Sequence, residues 1–193
     1  MAPEQRRDVL VDVTLQLLRQ HGRDVTTRQI AEAAGVAEGT IFRVVESKEE
    51  LVDAAIARAF EPGDLVARIT EISAEWPLRD RLVVLASIFQ QRFRATFSLM
   101  QRVGMIRPPD HLHDSEGAVA WRHRLQELVV GVVGEDADLL AVPVDHFVHV
   151  FRLLAFAGSH EHIADGRLLT PEQIVDTALH GLSALPAPDR GTP

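Results

Sequence analysis

Apolar residues recur at three- and four-residue intervals along nearly the whole chain, and few stretches alternate with the period of a strand. Val9, Leu10, Val13 and Leu17 form the first stripe, which Gly22 closes. Thr26 opens the next helix as N-cap, and Gln29 three residues later completes a capping box. Ile30, Ala31 and Ala34 follow as its buried face, and Gly35 permits a tight turn. Val36 and Ile41 fill the corner with a short second helix, about Glu38–Val44. Ser47-Lys48-Glu49-Glu50 is a second capping box, starting a helix with Leu51, Val52, Ala55, Ile56 and Ala59 on its apolar side. Glu61-Pro62-Gly63-Asp64 is the first strong breaker and sets a domain boundary.

Beyond the breaker, Leu78, Leu82, Leu85, Phe89, Phe93, Phe97 and Met100 predict a long helix, ended by Arg107-Pro108-Pro109-Asp110. Residues 110–117 read as a loop. Trp121, Leu125, Leu128, Val129 and Val132 mark another helix, closed by Gly134. A regular stripe over 144–162 runs through Val144, Phe147, Val148, Phe151, Leu154 and Ala155 to Gly158, with Leu153, Phe156 and Ala157 on its other side. Thr170-Pro171-Glu172-Gln173 combines N-cap, proline at the first helical position and capping box. Ile174, Val175, Ala178, Leu179 and Leu182 continue that last helix. The pattern is all-α. It divides into an N-terminal three-helix domain at 1–60, a helical domain at 61–185, and a disordered tail at 186–193.

Composition narrows the chemistry. Cysteine is absent, which excludes disulfides, thiolate metal sites and cysteine nucleophiles. No apolar run is long enough for a membrane span, and the charged, amphipathic N-terminus is not a secretory signal. Net charge is −8, and the first fifty residues hold seven Lys/Arg against nine Asp/Glu. That field repels nucleic acid, so any DNA contact must come from a few well-placed cations and backbone N–H groups.

Those few groups sit together. Thr26-Thr27-Arg28-x-Ile30-Ala31-x-x-Ala34-Gly35-Val36, Gly39-Thr40-Ile41-Phe42 and Ser47-Lys48-Glu49-Glu50-Leu51 have the spacing of a helix-turn-helix, whose second helix enters the DNA major groove. Over about residues 5–56 the chain resembles the tetracycline-repressor (TetR) family of bacterial regulators. The resemblance implies a DNA-binding surface of Thr26, Thr27, Arg28, Glu38, Gly39, Thr40, Phe42, Arg43 and Lys48. Thr27 and Thr40 would contact phosphate, and Arg28 would reach a base edge, for which a guanidinium fork suits guanine. Gly39 would allow close approach of the recognition helix. Arg43 would lie towards base or phosphate, and Lys48 would bind phosphate as a point charge. Glu38 either accepts from cytosine N4 or favours the helix N-terminus. The family pattern usually has tyrosine where Phe42 stands, a phosphate-contacting side chain such as histidine at Val44, and a capping serine or threonine at Ala37. Up to three backbone contacts are thus absent, and DNA affinity is expected to be weaker or more salt-sensitive.

The resemblance also implies that the second domain binds a ligand and dimerises. Phe89, Phe93, Phe97, Met100, Met105, Trp121, Leu125, Phe147 and Phe151 are candidate pocket residues, though core packing explains such a line equally well. Gln126, His149 and Arg152 are candidate polar anchors. Val144, Val148, Phe151, Ala155, Ile174, Ala178 and Leu182 are the candidate dimer face, since the last two helices carry more apolar surface than a lone domain hides. His111-x-His113, His160-x-His162 and the pair His146 and His149 are too sparse for a metal site without further ligands. There is no nucleophile elbow and no phosphate loop. The expected protein is a cytoplasmic homodimer without cofactor, metal, catalytic residues or membrane segment. It is a ligand-responsive transcriptional regulator, released as a repressor from a palindromic double-stranded operator by a small, mostly apolar effector. Two other readings compete: a ligand- or protein-binding module whose DNA binding has decayed, and a small helical metalloenzyme.

Overall fold

A computed structural model describes residues 3–108 and 115–181, and every described element is helical. In chain order these are α1 (Pro3–His21), α2 (Thr27–Ala34), α3 (Glu38–Ile41), α4 (Lys48–Phe60), α5 (Leu65–Thr70), α6 (Leu78–Arg102), α7 (Glu116–Val133), α8 (Val144–Ala157) and α9 (Pro171–His180). Short 3-10 turns cover Gly22–Asp24 and Gly134–Leu139. The expectations for His111, His113, Leu182 and the 186–193 tail lie outside the described residues.

The chain forms two compact units. One holds the residues up to Asp64 together with Arg94–Arg122; the other holds Leu65–Phe93 and the residues from His123 onward. Residue 94 falls inside α6, so this helix contributes to both.

The first unit closes around Leu10, Leu15 and Leu18 of α1, Ile30 of α2, Ile41 of α3, and Leu51, Ala55 and Ile56 of α4, joined by Leu99 and Val103. Full burial of each large aliphatic side chain contributes roughly 1.5–3 kcal/mol as an upper estimate. The inward face of α1 differs from the stripe read in the sequence. Val9 is exposed, and Val13 and Leu17 are half-buried, whereas Val11, Thr14 and Leu15 turn inward with Leu10 and Leu18. Two apolar stripes compete on this helix, and the one that packs hides four apolar side chains, Leu10, Val11, Leu15 and Leu18, together with Thr14. Its outer edge agrees with that rotation: Arg58 of α4 donates to Asp8 (2.7 Å) and Asp12 (3.0 Å). Gly22 is required where it stands, with φ +61 and a position where a Cβ would lie 2.5 Å from the Arg102 carbonyl. The long helix α6 stops before the prolines expected to end it. Gly104 takes φ +68, and the Met105 N–H closes on the Met100 carbonyl at 2.8 Å, a glycine-terminated helix end.

The second unit packs Leu82, Leu85 and Phe89 of α6, Val129 and Val133 of α7, Val148 and Phe151 of α8, and Ile174 and Val175 of α9. Phe89 and Phe147 flank Phe151 with ring centroids 6.3 and 6.1 Å away, within the range of favourable aromatic pairs. Helix α8 ends at Ala157, short of the expected residue 162. At Gly158 a Cβ would stand 2.9 Å from both the Leu154 carbonyl and the Leu169 side chain, and the Leu169 N–H bonds the Gly158 carbonyl at 3.0 Å. The returning chain therefore occupies the space a longer helix would need. Helix α9 starts as the sequence requires, with Thr170 and Gln173 forming both bonds of the capping box.

Candidate nucleic-acid interface

Helix α2 is fixed at both ends. The Thr26 hydroxyl accepts from the Gln29 N–H at 3.2 Å, and the Gln29 side chain accepts from the Thr26 N–H at 2.8 Å. Gly35 ends the helix in the left-handed region at φ +66, where other residues are strained. Only Ile30 and Ala31 are fully buried in α2, so its opposite side faces water. Arg28 projects from that side, and among the described residues it has no hydrogen bond or ion pair. An unengaged guanidinium beside a rigid helix start can offer its full donor fork to a base edge.

Helix α3 is held less firmly. Ala37 supplies no side-chain cap, as its side chain requires. Regular helix covers Glu38–Ile41 only, shorter than the expected Glu38–Val44. Three-residue closures, Arg43 N–H to Thr40 carbonyl (3.3 Å) and Val44 N–H to Ile41 carbonyl (2.9 Å), carry a tightened turn onward. One residue, Ile41, anchors this segment with a fully buried side chain. Gly39, Phe42 and Arg43 are exposed, Phe42 to 52%. A Cβ at Gly39 would meet no atom within 4 Å. The fold itself does not need a glycine there, which fits a surface that something external approaches closely. Arg43, like Arg28, has no partner among the described residues.

Two contacts were invisible in the sequence. The Thr27 hydroxyl donates to the Glu38 carboxylate across the turn. Glu38 thus links the start of α2 to the start of α3, and the Thr27 hydroxyl is engaged within the protein. Its backbone N–H, at the first turn of α2, remains directed outward from the helix end. Lys48 is half-buried and donates to the Val25 carbonyl at 3.3 Å, tying the start of α4 to the segment leading into α2. Ser47 caps α4 by accepting from the Glu50 N–H at 3.1 Å. The Glu50 carboxylate reaches one residue further back than a capping box requires, to the Glu46 N–H at 2.7 Å. That bond first, and Arg7 second, hold the Glu50 carboxyl below its ordinary value. Placement across a turn depends on backbone path, so no spacing rule could have paired Thr27 with Glu38 or Lys48 with Val25.

The other candidate residues are spread over the molecule. Phe97, Met100, Met105 and Trp121 belong to the first unit, where Met105 packs against the core beneath α1–α4. Phe89, Phe93, Leu125, Phe147 and Phe151 belong to the second, and all of these except Phe93 are fully buried there. Gln126 donates to Asp145 at 3.0 Å and accepts from Arg152 at 3.5 Å; His149 is exposed. The dimer assignment needs correction at four positions: Val148, Phe151, Ala155 and Ile174 are fully buried within the chain itself. Val144 and Ala178 are half-buried. The regular stripe of α8 faces its own core, and the surplus lies opposite, at Leu153 (55% exposed) and Phe156 (41%). Among the described residues, no three His, Asp or Glu side chains converge to hold a metal, and no helix is long and apolar enough to cross a membrane.

Residues 10–55 match the sequence profile described as bacterial regulatory proteins, tetR family. The chain is 37% identical over 95 residues to the HTH-type transcriptional repressor KstR of Rhodococcus jostii (strain RHA1), covering 49% of this chain and 42% of that protein. It is 29% identical over 97 residues to the HTH-type transcriptional regulator SAR0097 of Staphylococcus aureus (strain MRSA252), covering 47% and 50%. The matched region thus spans half or less of these relatives' own length. Among solved structures, a tetR-family transcriptional regulator from Streptomyces coelicolor aligns with TM-score 0.58 and 23% identity, over 93% of this chain and 79% of that one. The TetR-like regulator LfrR from Mycobacterium smegmatis, solved in complex with proflavine, aligns with TM-score 0.57 and 23% identity, over 96% and 100%.

Proposed function

Since the chain belongs to the tetR family of bacterial regulatory proteins, we propose that it is a DNA-binding transcriptional repressor whose reading surface is α2, the Gly35 turn and α3. The observation that carries this reading is the pair of unengaged arginines, Arg28 and Arg43, on the exposed side of a segment whose buried side is anchored by Ile30 and Ile41. Arg28 supplies base readout. Thr40, Gly39, Arg43 and the N–H groups at the start of α2 take phosphate or base contacts, and Lys48 adds a positive charge near the backbone. Decayed DNA binding is not favoured, because both arginines stay available on the exposed side and the caps of α2 and α4 are intact.

Two copies would read half-sites of a palindrome about one helical turn apart, or a small multiple of that. The second copy would dock on the Leu153 and Phe156 side of α8, where apolar surface stays exposed. A small effector in the helical second unit would favour a head separation that cannot engage both half-sites, and DNA would oppose effector binding by the same factor. The proflavine complex of LfrR supports an effector of this general kind. Such a protein acts in the cytoplasm, where the chromosome is.

Selection of bound sequences from random DNA with the purified protein tests the reading. A palindromic consensus, with an affinity that falls steeply as salt rises, is the expected outcome. Absence of any retained sequence at low salt sinks it.

A further inference from the structure

Lys48 is the only lysine in a chain that carries nineteen arginines. The two kinds of cation differ in their chemistry. A guanidinium stays protonated throughout the physiological range, whereas a lysine amine can lose its proton and act as a nucleophile. The chain therefore holds one ε-amine open to an activated acyl group, and that amine lies on the proposed DNA-binding surface. Lys48 is the first residue of α4, directly after its N-cap Ser47. A helix start opposes a positive charge, and the acids that follow, Glu49 and Glu50, are what it favours. Glu50 is engaged elsewhere, accepting from the Glu46 N–H at 2.7 Å and pairing with Arg7 at 3.2 Å. Among the described residues Lys48 has no ion pair, and it is half-buried rather than enclosed. Its one bond is the 3.3 Å donation to the Val25 carbonyl, which occupies one of the three donors of an ammonium.

Acylation of this amine changes charge and spares the fold. An amide nitrogen keeps one N–H, enough for the bond to the Val25 carbonyl, and a neutral group is not opposed by the dipole of α4. The charge available to a phosphate is lost. The first fifty residues already hold more acids than bases, so DNA is held against the protein's own field by a few cations, and removal of one weakens every sequence. Arg28 and Arg43 are not open to the same change. Base readout, which rests on Arg28, is therefore untouched.

We propose that Lys48 is a modification site, and that its acylation by a small acyl phosphate weakens DNA binding. The inference rests on the DNA-binding reading. An acyl phosphate suits the position because a lysine at a helix start holds phosphate, so the group that docks carries the reactive carbonyl beside the amine. The ammonium first gives one proton to solvent. The Nζ lone pair then bonds the acyl carbonyl carbon, and the bond from that carbon to the phosphate oxygen breaks. Inorganic phosphate leaves with the electron pair, and the nitrogen gives a second proton to solvent. Nothing is oxidised or reduced.

Incubation of the full-length protein with acetyl phosphate, followed by mass spectrometry, tests it, with Nα-acetyllysine in the same mixture as a control of reactivity. One acetyl group is expected on Lys48, seen also as loss of tryptic cleavage after that residue, and bound DNA should protect it. At about 0.1 M salt the acetylated protein should hold its selected DNA about five- to tenfold more weakly, with base preference and thermal midpoint unchanged. Lys48→Arg removes the reactive amine, so its affinity, whatever the starting value, should not move on treatment. The proposal is overturned if Lys48 stays unmodified where Nα-acetyllysine reacts, or if bound DNA leaves the labelling rate unchanged. It is equally overturned if the acetylated chain binds as tightly as the untreated one, if its affinity falls only together with its thermal midpoint, or if Lys48→Arg weakens to the same extent on treatment. An untreated chain that holds no DNA sinks the DNA reading itself; an untreated chain that binds, and binds equally after labelling, sinks this proposal alone.

Discussion

Arginine does opposite work in the two units. In the first, Arg28 and Arg43 stand in water with no partner among the described residues, on a segment held from behind by Ile30 and Ile41. In the second, Arg81 is buried, donates to the final carbonyls of α7 and pairs with Asp136. A cation at the end of a helix interacts favourably with its dipole and satisfies carbonyls that have no partner within the helix. Exposure leaves a guanidinium available for an external acceptor at little cost. Burial makes it a structural element. The same side chain therefore reads as a recognition group or a scaffold group according to what its donors already hold.

The comparison breaks most readily at Arg81. Arg81→Met leaves Asp136 without its partner and the end of α7 without its donors. Urea unfolding should show a loss of about 3–5 kcal/mol, towards the lower end because Asp136 is partly exposed. A loss below that of an ordinary surface substitution would mean that Arg81 is not the scaffold residue described. Arg28→Ala should do the reverse. Thermal stability should be unchanged while DNA affinity falls by about 1–3 kcal/mol with relaxed base preference. Lys48→Ala lies between the two. It should weaken all sequences alike, flatten the salt slope by about one unit, and slightly lower stability through loss of the bond to the Val25 carbonyl. Equal thermal midpoints for Lys48→Ala and the unaltered chain would remove that structural role.

Smaller effects sharpen the contrast between the firm α2 and the loosely capped α3. Thr26→Ala removes the N-cap of α2 and should cost about 1 kcal/mol; Ala37→Ser supplies the cap that α3 lacks and should return a gain of at most that size. Chemical denaturation of the two variants side by side measures both. The least effect is expected at Glu50, whose folded carboxyl lies below its ordinary value because of the Glu46 N–H and then Arg7. A depressed carboxyl contributes stability that is complete above its unfolded value and is lost as pH falls through the folded one. Glu50→Gln should therefore be less stable than the unaltered chain near neutral pH, with the difference vanishing on acidification. A difference that persists in acid would point to packing rather than charge.

Much of the architecture was legible because it rests on local rules. Thr26 with Gln29, Thr170 with Gln173, and the glycine stops at Gly35 and Gly134 each place a helix boundary within a few residues, since capping and left-handed turns are decided by adjacent side chains. The prolines at 108–109 misled as the end of α6, because Gly104 acts first. The regular stripe of α8 also misled: periodicity shows that a helix has an apolar face but not which neighbour covers it. Val148, Phe151 and Ala155 are covered by the chain's own core, whereas Leu153 and Phe156 keep much of their surface exposed. On α1 two stripes were available, and only the packing of α4 and the Arg58 ion pairs distinguish between them.

The sequence by itself determined the helical order, the caps of α2, α4 and α9, and the exposed presentation of Arg28, Gly39 and Arg43, because residues three or four apart on one helix share a face whatever lies beyond. Tertiary structure alone decided that Thr27 is bonded to Glu38, that Lys48 holds the Val25 carbonyl, and that Arg81 meets the end of α7. These contacts join residues between 11 and 55 positions apart. Such distances are bridged only by the path of the backbone and the packing of the core, and no local spacing encodes them.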